Sequence, residues 1–338
     1  MKINVITVTY AERFKFLKQV LDATVSDINV DKVILVDNAS VNKKEIDQYI
    51  EEVNAKEQKI ILVRHTENLG SAGGFKAGIL EARKYVCDYV LLLDDDNVPE
   101  EGWSKIIYPL TELFGDKINK SVFSLNRGSQ PEFFTSKESY SNKEDLFKIS
   151  ISNFKQLSNF LIRGRKDNNF SSLNNGKYTP IMRIDPCGYG GGLIPYKILK
   201  ECDLPNEKLF LYFDDVLFFG QMILNQNVCI FKLDHPKIKN VDLSFKEENL
   251  YKTFYLPESD DLRIFYWIRN RLILAIQYAE QSKTTVKIIG LIWIFYIIFL
   301  GITKAANMKT FSNKTAIIFK AYKAGVKLDF SSFNKYIK

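Results

Sequence analysis

The chain has 338 residues, of which 46% are hydrophobic and 26% are charged, with a formal net charge of +7. This is an ordinary globular composition, and the length allows one large α/β domain or two smaller ones. The four cysteines show no CxxC pair and the chain has two histidines, which argues against a zinc site and fits reduced thiols. Because the N-terminus runs directly into a strand pattern, without the apolar core of a signal peptide, we expect a cytoplasmic protein.

Strand and helix patterns alternate through the first hundred residues. We predict strands over 3–9, 32–36, 60–64 and 89–93, and helices over 14–25, 43–53 and 74–85. Alternating units of this size are typical of an α/β fold, in which a mixed, mainly parallel, Rossmann-like sheet is flanked by helices.

Residues 128–180 interrupt this order with polar, Ser-, Asn- and Lys-rich sequence, which is typical of a functional lid or an insertion. We expect this segment to form an acceptor loop. After it we predict helices over 196–202, 214–225 and 260–281 and strands over 209–213 and 228–233.

The run Ile288–Ile302 is almost wholly apolar, and the lysine-rich segment 304–338 follows it. At about 15 residues the run is shorter than the ~20 that span a bilayer, so it fits a buried core helix or a helix in the membrane interface. We favour the interface, because a basic tail without a nucleic-acid motif follows. This predicts one domain over 1–285 and a membrane-associating segment over 286–338, peripheral on the inner face of the cell membrane and without a nucleic-acid partner.

Three consecutive carboxylates, Asp94, Asp95 and Asp96, follow the apolar run Tyr89–Leu93. A run this apolar indicates a strand of a parallel sheet, and ligands bind at the carboxyl ends of such strands. Clustered carboxylate oxygens suit Mg²⁺ or Mn²⁺, which are commonly shared with substrate phosphates. The alternative is a solvated acidic turn, since Asn97–Pro99 comes next.

Two other strand ends carry polar residues. Asp37 could accept hydrogen bonds from a nucleotide base or a ribose hydroxyl, or it could cap the next helix. The segment Glu67–Phe75 is rich in glycine and opens a helix, so its backbone could approach a diphosphate, or it could form a tight turn between strand and helix.

A second acidic cluster, Asp214 and Asp215, follows another apolar run. A carboxylate held near a metal site can serve as a general base toward a hydroxyl, and a helix start can hold it rigidly. His235 could be a metal or phosphate ligand, although a surface or hydrogen-bonded core histidine is the more common case, and His65 is a weaker candidate.

Taken in order, the motifs VTYAER, VDNAS, ENLGSAGGFKAG, LLLDDDN, CGYGGG, FDDVLF and YWIRN resemble those of the GT-A fold glycosyltransferases of family 2. The resemblance runs from residue 3 to about residue 270. The NLGSAGGF stretch and the aspartate triplet look most like the galactofuranosyl- and rhamnosyl-transferase branch.

The resemblance implies a role for each motif. The residues implied around the nucleotide and its sugar are Thr7, Thr9, Tyr10, Arg13, Asp37, Asn68, Gly70, Gly73, Gly74, Asp94 and Asp95. It implies a metal held by Asp94, Asp96 and His235, and a catalytic base at Asp215 or Asp214, with Asp215 preferred. Many family members have Glu-Asp at the base and an arginine in the helix behind it, whereas this chain has Asp-Asp and Gln221.

The implied activity is inverting transfer of a sugar, with Mn²⁺ or Mg²⁺, from UDP-galactofuranose or dTDP-rhamnose to a glycan or lipid-linked glycan of a cell-surface polysaccharide. One alternative is a sugar-phosphate nucleotidyltransferase. Such enzymes have a glycine-rich loop after the first strand, where this chain has Thr9–Glu12. Another is a non-catalytic, membrane-bound carbohydrate-binding protein. The sequence leaves the oligomeric state open.

Overall fold

We describe a computed structural model over residues 1–127, 181–184, 186–242, 253–278 and 282–337. The chain divides into two compact units. The first comprises the described parts of Met1–Ser139, Thr179–Phe210 and Asp214–Phe245. The second comprises Leu211–Phe213 and the described part of Lys246–Lys338. The acceptor loop predicted over 128–180 lies outside the described residues.

A nine-stranded sheet forms the centre of the first unit. Its strands are β1 (Ile3–Thr9), β2 (Val30–Asn38), β3 (Ile60–His65), β4 (Tyr89–Asp94), β5 (Asn97–Pro99), β6 (Ser121–Asn126), β7 (Ile181–Ile184), β8 (Gly192–Pro195) and β9 (Cys229–Asn240). Its helices are α1 (Phe14–Val25), α2 (Lys43–Glu57), α3 (Gly70–Ala82), α4 (Ile107–Phe114), α5 (Tyr196–Glu201) and α6 (Asp214–Gln226).

The strand order is β3-β2-β1-β4-β8-β6-β9-β5, with β7 paired to β9. The first four strands in this order are parallel, and β8 runs antiparallel to both of its neighbours. This confirms the predicted mixed α/β sheet flanked by helices. It also places the carboxyl ends of β1, β2 and β4 side by side, because Thr9 lies opposite Asp37 and Val8 lies opposite Asp94.

The burial patterns of β1 and α1 match the type of element that each segment forms. Every residue of β1 is buried, as expected for a central parallel strand covered on both faces. Helix α1 buries Leu17, Val20 and Leu21, whose spacing places them on one face.

Two sequence predictions are wrong. Helix α3 begins at Gly70 rather than at residue 74, since the glycine-rich segment is itself helical. The strand predicted over 209–213 does not form. Instead Phe210, Tyr212 and Phe213 have φ angles of 67°, 65° and 63°, which turn the chain sharply.

The second unit is helical in its described part. Its helices are α7 (Asp261–Tyr278), α8 (Lys283–Ile302), α9 (Met308–Val326) and α10 (Asn334–Ile337). Gly290 of α8 and Gly325 of α9 both pack against Leu272 of α7. The boundary predicted at residue 285 therefore falls inside this unit, since α7 packs with the two helices that follow it. At 20 residues, α8 is longer than the predicted apolar run.

Candidate active site

The three carboxylates of the acidic triplet, Asp94–Asp96, lie at and just beyond the end of β4 and have different surroundings. The side chain of Asp95 is 3% exposed and accepts hydrogen bonds from the Thr9 hydroxyl at 2.9 Å and from Arg13 Nε at 2.8 Å. Asp96 accepts from Arg13 Nη2 at 3.0 Å. The side chain of Asp94 is 43% exposed. Asp95 is thus anchored within the protein, whereas Asp94 is open to solvent.

Arg13 neutralises much of this negative charge. Besides Asp95 and Asp96, its guanidinium binds Asp242 through Nη1 at 2.7 Å. Asp242 reaches the triplet because β5 pairs with β9 and the backbone N–H of Val241 donates to the Asp96 carbonyl at 2.9 Å. Burial alone would lower the pKa of Arg13, but the carboxylates of Asp95 and Asp242 outweigh it, so that this pKa is raised.

Burial raises the pKa values of all three carboxyls of the triplet, and neighbouring carboxylates add to it. For Asp96 burial is the main cause and the charge of Asp94 the next, and the pKa lies at about 6. For Asp95 burial raises the pKa to about 7 against the opposing effect of Arg13. Partial burial and the charge of Asp215 raise the pKa of Asp94, while Arg127 opposes them. Asp94 and Asp215 are therefore close enough to interact electrostatically.

Arg127, which follows β6, lies between the acidic clusters. Its Nη1 is 3.3 Å from Asp94 Oδ2 and 3.4 Å from the Asn97 side-chain oxygen. A Cβ atom at Gly190 would overlap both Asn97 and Arg127, so only glycine fits there without displacing them.

The glycine-rich turn before β8 also approaches the second acidic cluster. A Cβ atom at Gly188 would lie 3.2 Å from Asp215 Oδ2. The ring of Tyr189 stacks on Phe75 of α3 at 4.0 Å between centroids. The two carboxylates therefore lie against the same turn, Asp215 at Gly188 and Asp94 at Gly190.

Asp214 and Asp215 begin α6 and differ in their partners. Asp214 is buried and accepts a hydrogen bond from the Ser71 hydroxyl at 2.9 Å, while the Tyr189 hydroxyl faces it outside hydrogen-bond geometry. Burial, and then the charge of Asp215, raise the pKa of Asp214 well above its usual range. Asp215 is partly exposed and accepts from the Val216 backbone N–H at 2.7 Å. Asp215 is thus the more accessible carboxylate of the pair.

Asp37 is fully buried at the end of β2. Its two oxygens accept hydrogen bonds from Arg64 Nε at 2.7 Å and from the Ser40 backbone N–H at 2.8 Å. Helix α2 begins at Lys43, with Asn42 before it, so Asp37 closes a turn rather than capping the helix.

The glycine-rich segment has its own internal restraints. The Asn38 side chain donates to the Asn68 side chain at 3.0 Å and to the Gly70 carbonyl at 2.9 Å. Gly70 has a φ of +71°, and a Cβ atom there would overlap the Phe210 carbonyl. Close packing against the Phe210 carbonyl therefore requires a glycine at this position.

The remaining residues predicted around the nucleotide are buried or packed against other side chains. Cβ atoms at Gly73 and Gly74 would overlap Leu69 and Val8, so these glycines serve close packing. Thr7 is fully buried, and among the described residues its hydroxyl has no hydrogen-bond partner. Tyr10 is half-buried, and its ring lies beneath the Arg13 guanidinium at 5.4 Å.

His235 lies in β9 with half of its side chain exposed. Its ring nitrogens are 3.7 Å from Glu100 and 3.9 Å from Asp234, so its acidic neighbours are not those of the triplet. Within the described ranges, no group of three His, Cys, Asp or Glu side chains is arranged to hold a metal ion.

Three residues near the acidic clusters were not found from the sequence. Arg127 ends a strand that was not predicted, and the same strand-end argument that identified Asp94 would have found it. Ser71 lies within the glycine-rich motif. The sequence around Asp242 gives no indication of a role, because its partner Arg13 lies 229 positions earlier in the chain.

Comparisons with known proteins agree with this fold. The model of the family "Glycosyl transferase family 2" matches residues 4–159. A structure of S. aureus TarS 1–349 shares 13% identity at a TM-score of 0.50, covering 97% of this chain and 83% of that one. A structure of GalNAc-T7 shares 12% identity at a TM-score of 0.52, covering 96% and 56%. A comparison with curated protein sequences finds no match. Residues 4–159 are therefore similar to a glycosyl transferase family 2 domain, and the chain has a mixed α/β, Rossmann-like GT-A fold.

Proposed function

We propose that the protein is an inverting, metal-dependent glycosyltransferase. It moves a sugar from a nucleoside diphosphate to a hydroxyl of a glycan or lipid-linked glycan in cell-surface polysaccharide synthesis. The observation that carries this proposal is the approach of Asp215 to Asp94 across the turn at Gly188–Gly190. The similarity to family 2 supports the reaction class.

The donor set fits a divalent cation. Asp94 and Asp96 offer hard oxygen ligands. Burial and, after it, the charge of Asp94 raise the pKa of Asp96, and a cation would relieve the repulsion between the two carboxylates. Two carboxylates suffice for Mg²⁺ or Mn²⁺ when substrate phosphates complete the coordination. We leave His235 out of this set, because its ring lies beside Glu100 and Asp234. When bound, the ion would stabilise the charge of the departing diphosphate.

The nucleotide would lie at the carboxyl ends of β1 and β2, where Asp37, Asn68 and Tyr10 are found. Thr9 and Arg13 act through Asp95, which they hold in place, and so fix the loop that carries Asp96. The crystal structure of GalNAc-T7 is that of a complex with UDP, GalNAc and Mn²⁺, which supports a nucleotide sugar and manganese for this fold.

Asp215 is the residue that we assign as general base. Its carboxylate takes the proton of the acceptor hydroxyl, and the oxygen attacks the anomeric carbon of the sugar. As the new carbon–oxygen bond forms, the bond from that carbon to the diphosphate oxygen breaks on the opposite side, and the nucleoside diphosphate leaves. A single displacement of this kind inverts the anomeric configuration.

The motif resemblance favours UDP-galactofuranose or dTDP-rhamnose as the donor. A sugar-phosphate nucleotidyltransferase would need a glycine-rich loop after β1, where the chain has Tyr10–Glu12. A non-catalytic carbohydrate-binding protein would have no use for carboxylates at all three of Asp94, Asp96 and Asp215.

A panel of nucleotide sugars with Mn²⁺ would test the proposal. We expect one donor to raise the melting temperature, because a ligand that binds the folded state stabilises it. The same donor should release nucleoside diphosphate when acceptor glycan is added. Release of pyrophosphate from a nucleoside triphosphate and a sugar phosphate would instead identify a nucleotidyltransferase. A stabilising donor that never turns over would favour the non-catalytic alternative.

A further inference from the structure

Helix α8 has two opposite apolar faces, of which one is buried and the other is exposed. The buried face carries Val286, Gly290, Ile294, Ile297, Leu300 and Gly301. The exposed face, which we call the stripe, consists of Ile288, Leu291, Ile292, Phe295, Phe299 and Ile302. The most exposed members, Phe299 and Ile302, are each 65% accessible.

The stripe is continuous. At 100° per residue its six side chains fall within about 100° of the helix circumference, and it extends over about 21 Å at 1.5 Å per residue. Contiguous exposed apolar surface of this kind marks an interaction site rather than ordinary scatter.

Packing within the second unit fixes the orientation of α8. Trp293 contacts Trp267 of α7 at 5.3 Å between ring centroids. The Tyr322 hydroxyl of α9 donates to the Lys287 carbonyl at 3.0 Å. A Cβ atom at Gly301 would overlap the ring of Tyr255. The helix cannot rotate to bury the stripe without losing these contacts.

The same packing decides between a spanning and a surface helix. Helix α8 is long and apolar enough to cross a membrane. Length and composition do not decide the matter, because core helices of soluble proteins meet the same criterion. A spanning helix is surrounded by lipid or by other spanning helices, whereas the buried face of α8 packs on Leu272 of α7, a helix that contains the buried polar residues Arg269 and Asn270. This geometry fits a helix lying along a membrane surface.

Charge indicates what covers the stripe. Residues 282–337 contain nine lysines and one acidic residue, Asp329. Lys283 and Lys287 lie at one end of the stripe and Lys304 and Lys309 beyond the other, and all four are exposed. Pairing two copies of the chain through the stripe would bring like charges together, whereas an anionic lipid surface complements them.

We propose that the stripe of α8 inserts into the headgroup region of an anionic membrane, with the helix axis parallel to the membrane plane. The apolar side chains enter the acyl boundary, while the flanking lysines remain at the headgroups. This inference does not rest on the proposed activity, since it concerns only how the second unit meets lipid.

Vesicle co-sedimentation of the full chain tests the inference without any substrate. We expect binding to phosphatidylcholine vesicles that contain phosphatidylglycerol, and weaker binding without it. The double variant Phe295→Ser/Phe299→Ser should bind at least about tenfold more weakly, because two large apolar side chains no longer enter the bilayer. A matched control is Val86→Ser/Leu113→Ser, which changes two exposed apolar residues of the first unit and should bind like wild type.

Four results would overturn the inference. The wild type could fail to bind either vesicle type, or the stripe variant could bind as strongly as the control variant. Binding that resists a rise in salt from about 0.1 M to about 1 M, where charges are screened within a few ångströms, would indicate a spanning helix instead. A dimer in solution that becomes monomeric in the stripe variant, without vesicle binding, would assign the stripe to a second copy of the chain.

Discussion

The two acidic clusters look alike in sequence but are held in different ways. In each cluster one carboxylate is anchored in the protein and another is open. Asp95 is anchored by Thr9 and Arg13, and Asp214 by Ser71. The open members, Asp94 and Asp215, approach each other across the glycine-rich turn. A run of like charges thus divides into carboxylates that are anchored by hydrogen bonds and carboxylates that remain open.

The clusters also differ in how their charge is balanced. The triplet is offset by the guanidinium of Arg13, which binds three carboxylates. The Asp214 carboxyl instead has its pKa raised well above the usual range, chiefly by burial, and so favours the neutral form. The charge of the first cluster is therefore offset by the Arg13 guanidinium, whereas the second cluster holds one of its carboxyls toward the neutral form.

The largest effect should come from the open carboxylate of the second cluster. Asp215→Asn should lower turnover by about 10³-fold, in the range typical of a lost general base, with little change in donor affinity. Steady-state kinetics together with donor titration would measure both. Asp214→Asn is the matched comparison, and we expect it to retain far more turnover. The reverse ranking would exchange the two roles.

The next largest effect should come from Arg13, whose guanidinium balances the negative charge of the triplet. Arg13→Gln leaves the buried Asp95 without its guanidinium, so the free energy of unfolding should fall by about 3–5 kcal/mol. Denaturant unfolding would measure it. On the same helix, Lys18→Gln removes an exposed pair with Asp22 and should cost less than about 1 kcal/mol. Equal losses would show that Arg13 is a surface residue in solution.

Local patterns were sufficient where contacts are local or where a run is buried on both faces. The apolar runs over 3–9 and 89–93 became β1 and β4, and helix α1 covers the residues predicted for it, because its apolar spacing matches the helical period. The strand-end argument also identified the first acidic cluster, since parallel strands end at one edge of the sheet. The second cluster follows a run that is not a strand, although it does begin a helix as predicted.

Long-range contacts could not be predicted from one sequence. The aromatic run over 209–213 has a strand composition, yet the Asn270 side chain binds the carbonyls of Leu211 and Tyr212 at 2.8 Å and 2.9 Å, and the backbone there has positive φ angles. Likewise, nothing near Asp242 indicates that it would pair with Arg13. Both contacts depend on residues that are distant in sequence, which a local window does not contain.

A moderate effect should appear in the pH dependence of metal binding. Because the pKa of Asp96 is raised to about 6, its carboxyl is protonated below that pH and cannot ligate a cation. Mn²⁺ affinity of the free protein should therefore rise with pH, by about tenfold per unit below pH 6, and level off above it. Calorimetric titration over this range would measure it. Asp96→Asn should bind weakly with a flatter profile, and an unchanged profile would remove Asp96 from the ligands.

The smallest effect should come from the hydroxyl that anchors the second cluster. Ser71→Ala removes the hydrogen bond to the buried Asp214, so the free energy of unfolding should fall by about 1 kcal/mol. Thermal unfolding would detect it. Ser26→Ala, at an exposed helix end, should change stability by less than about 0.5 kcal/mol. If both variants behave alike, Asp214 is not anchored through Ser71.

The most direct test of the central claim is calorimetric titration of the full chain with the stabilising nucleotide sugar, first in Mn²⁺ and then in excess chelator. We expect binding in Mn²⁺ and its loss in chelator, because Asp94 and Asp96 hold the diphosphate only through a shared cation. Asp96→Asn should lose the binding in Mn²⁺, whereas Asp116→Asn, which changes an exposed carboxylate elsewhere, should keep it. Equal affinity with and without Mn²⁺, unaffected by Asp96→Asn, would contradict a metal-dependent sugar-nucleotide site at the acidic triplet.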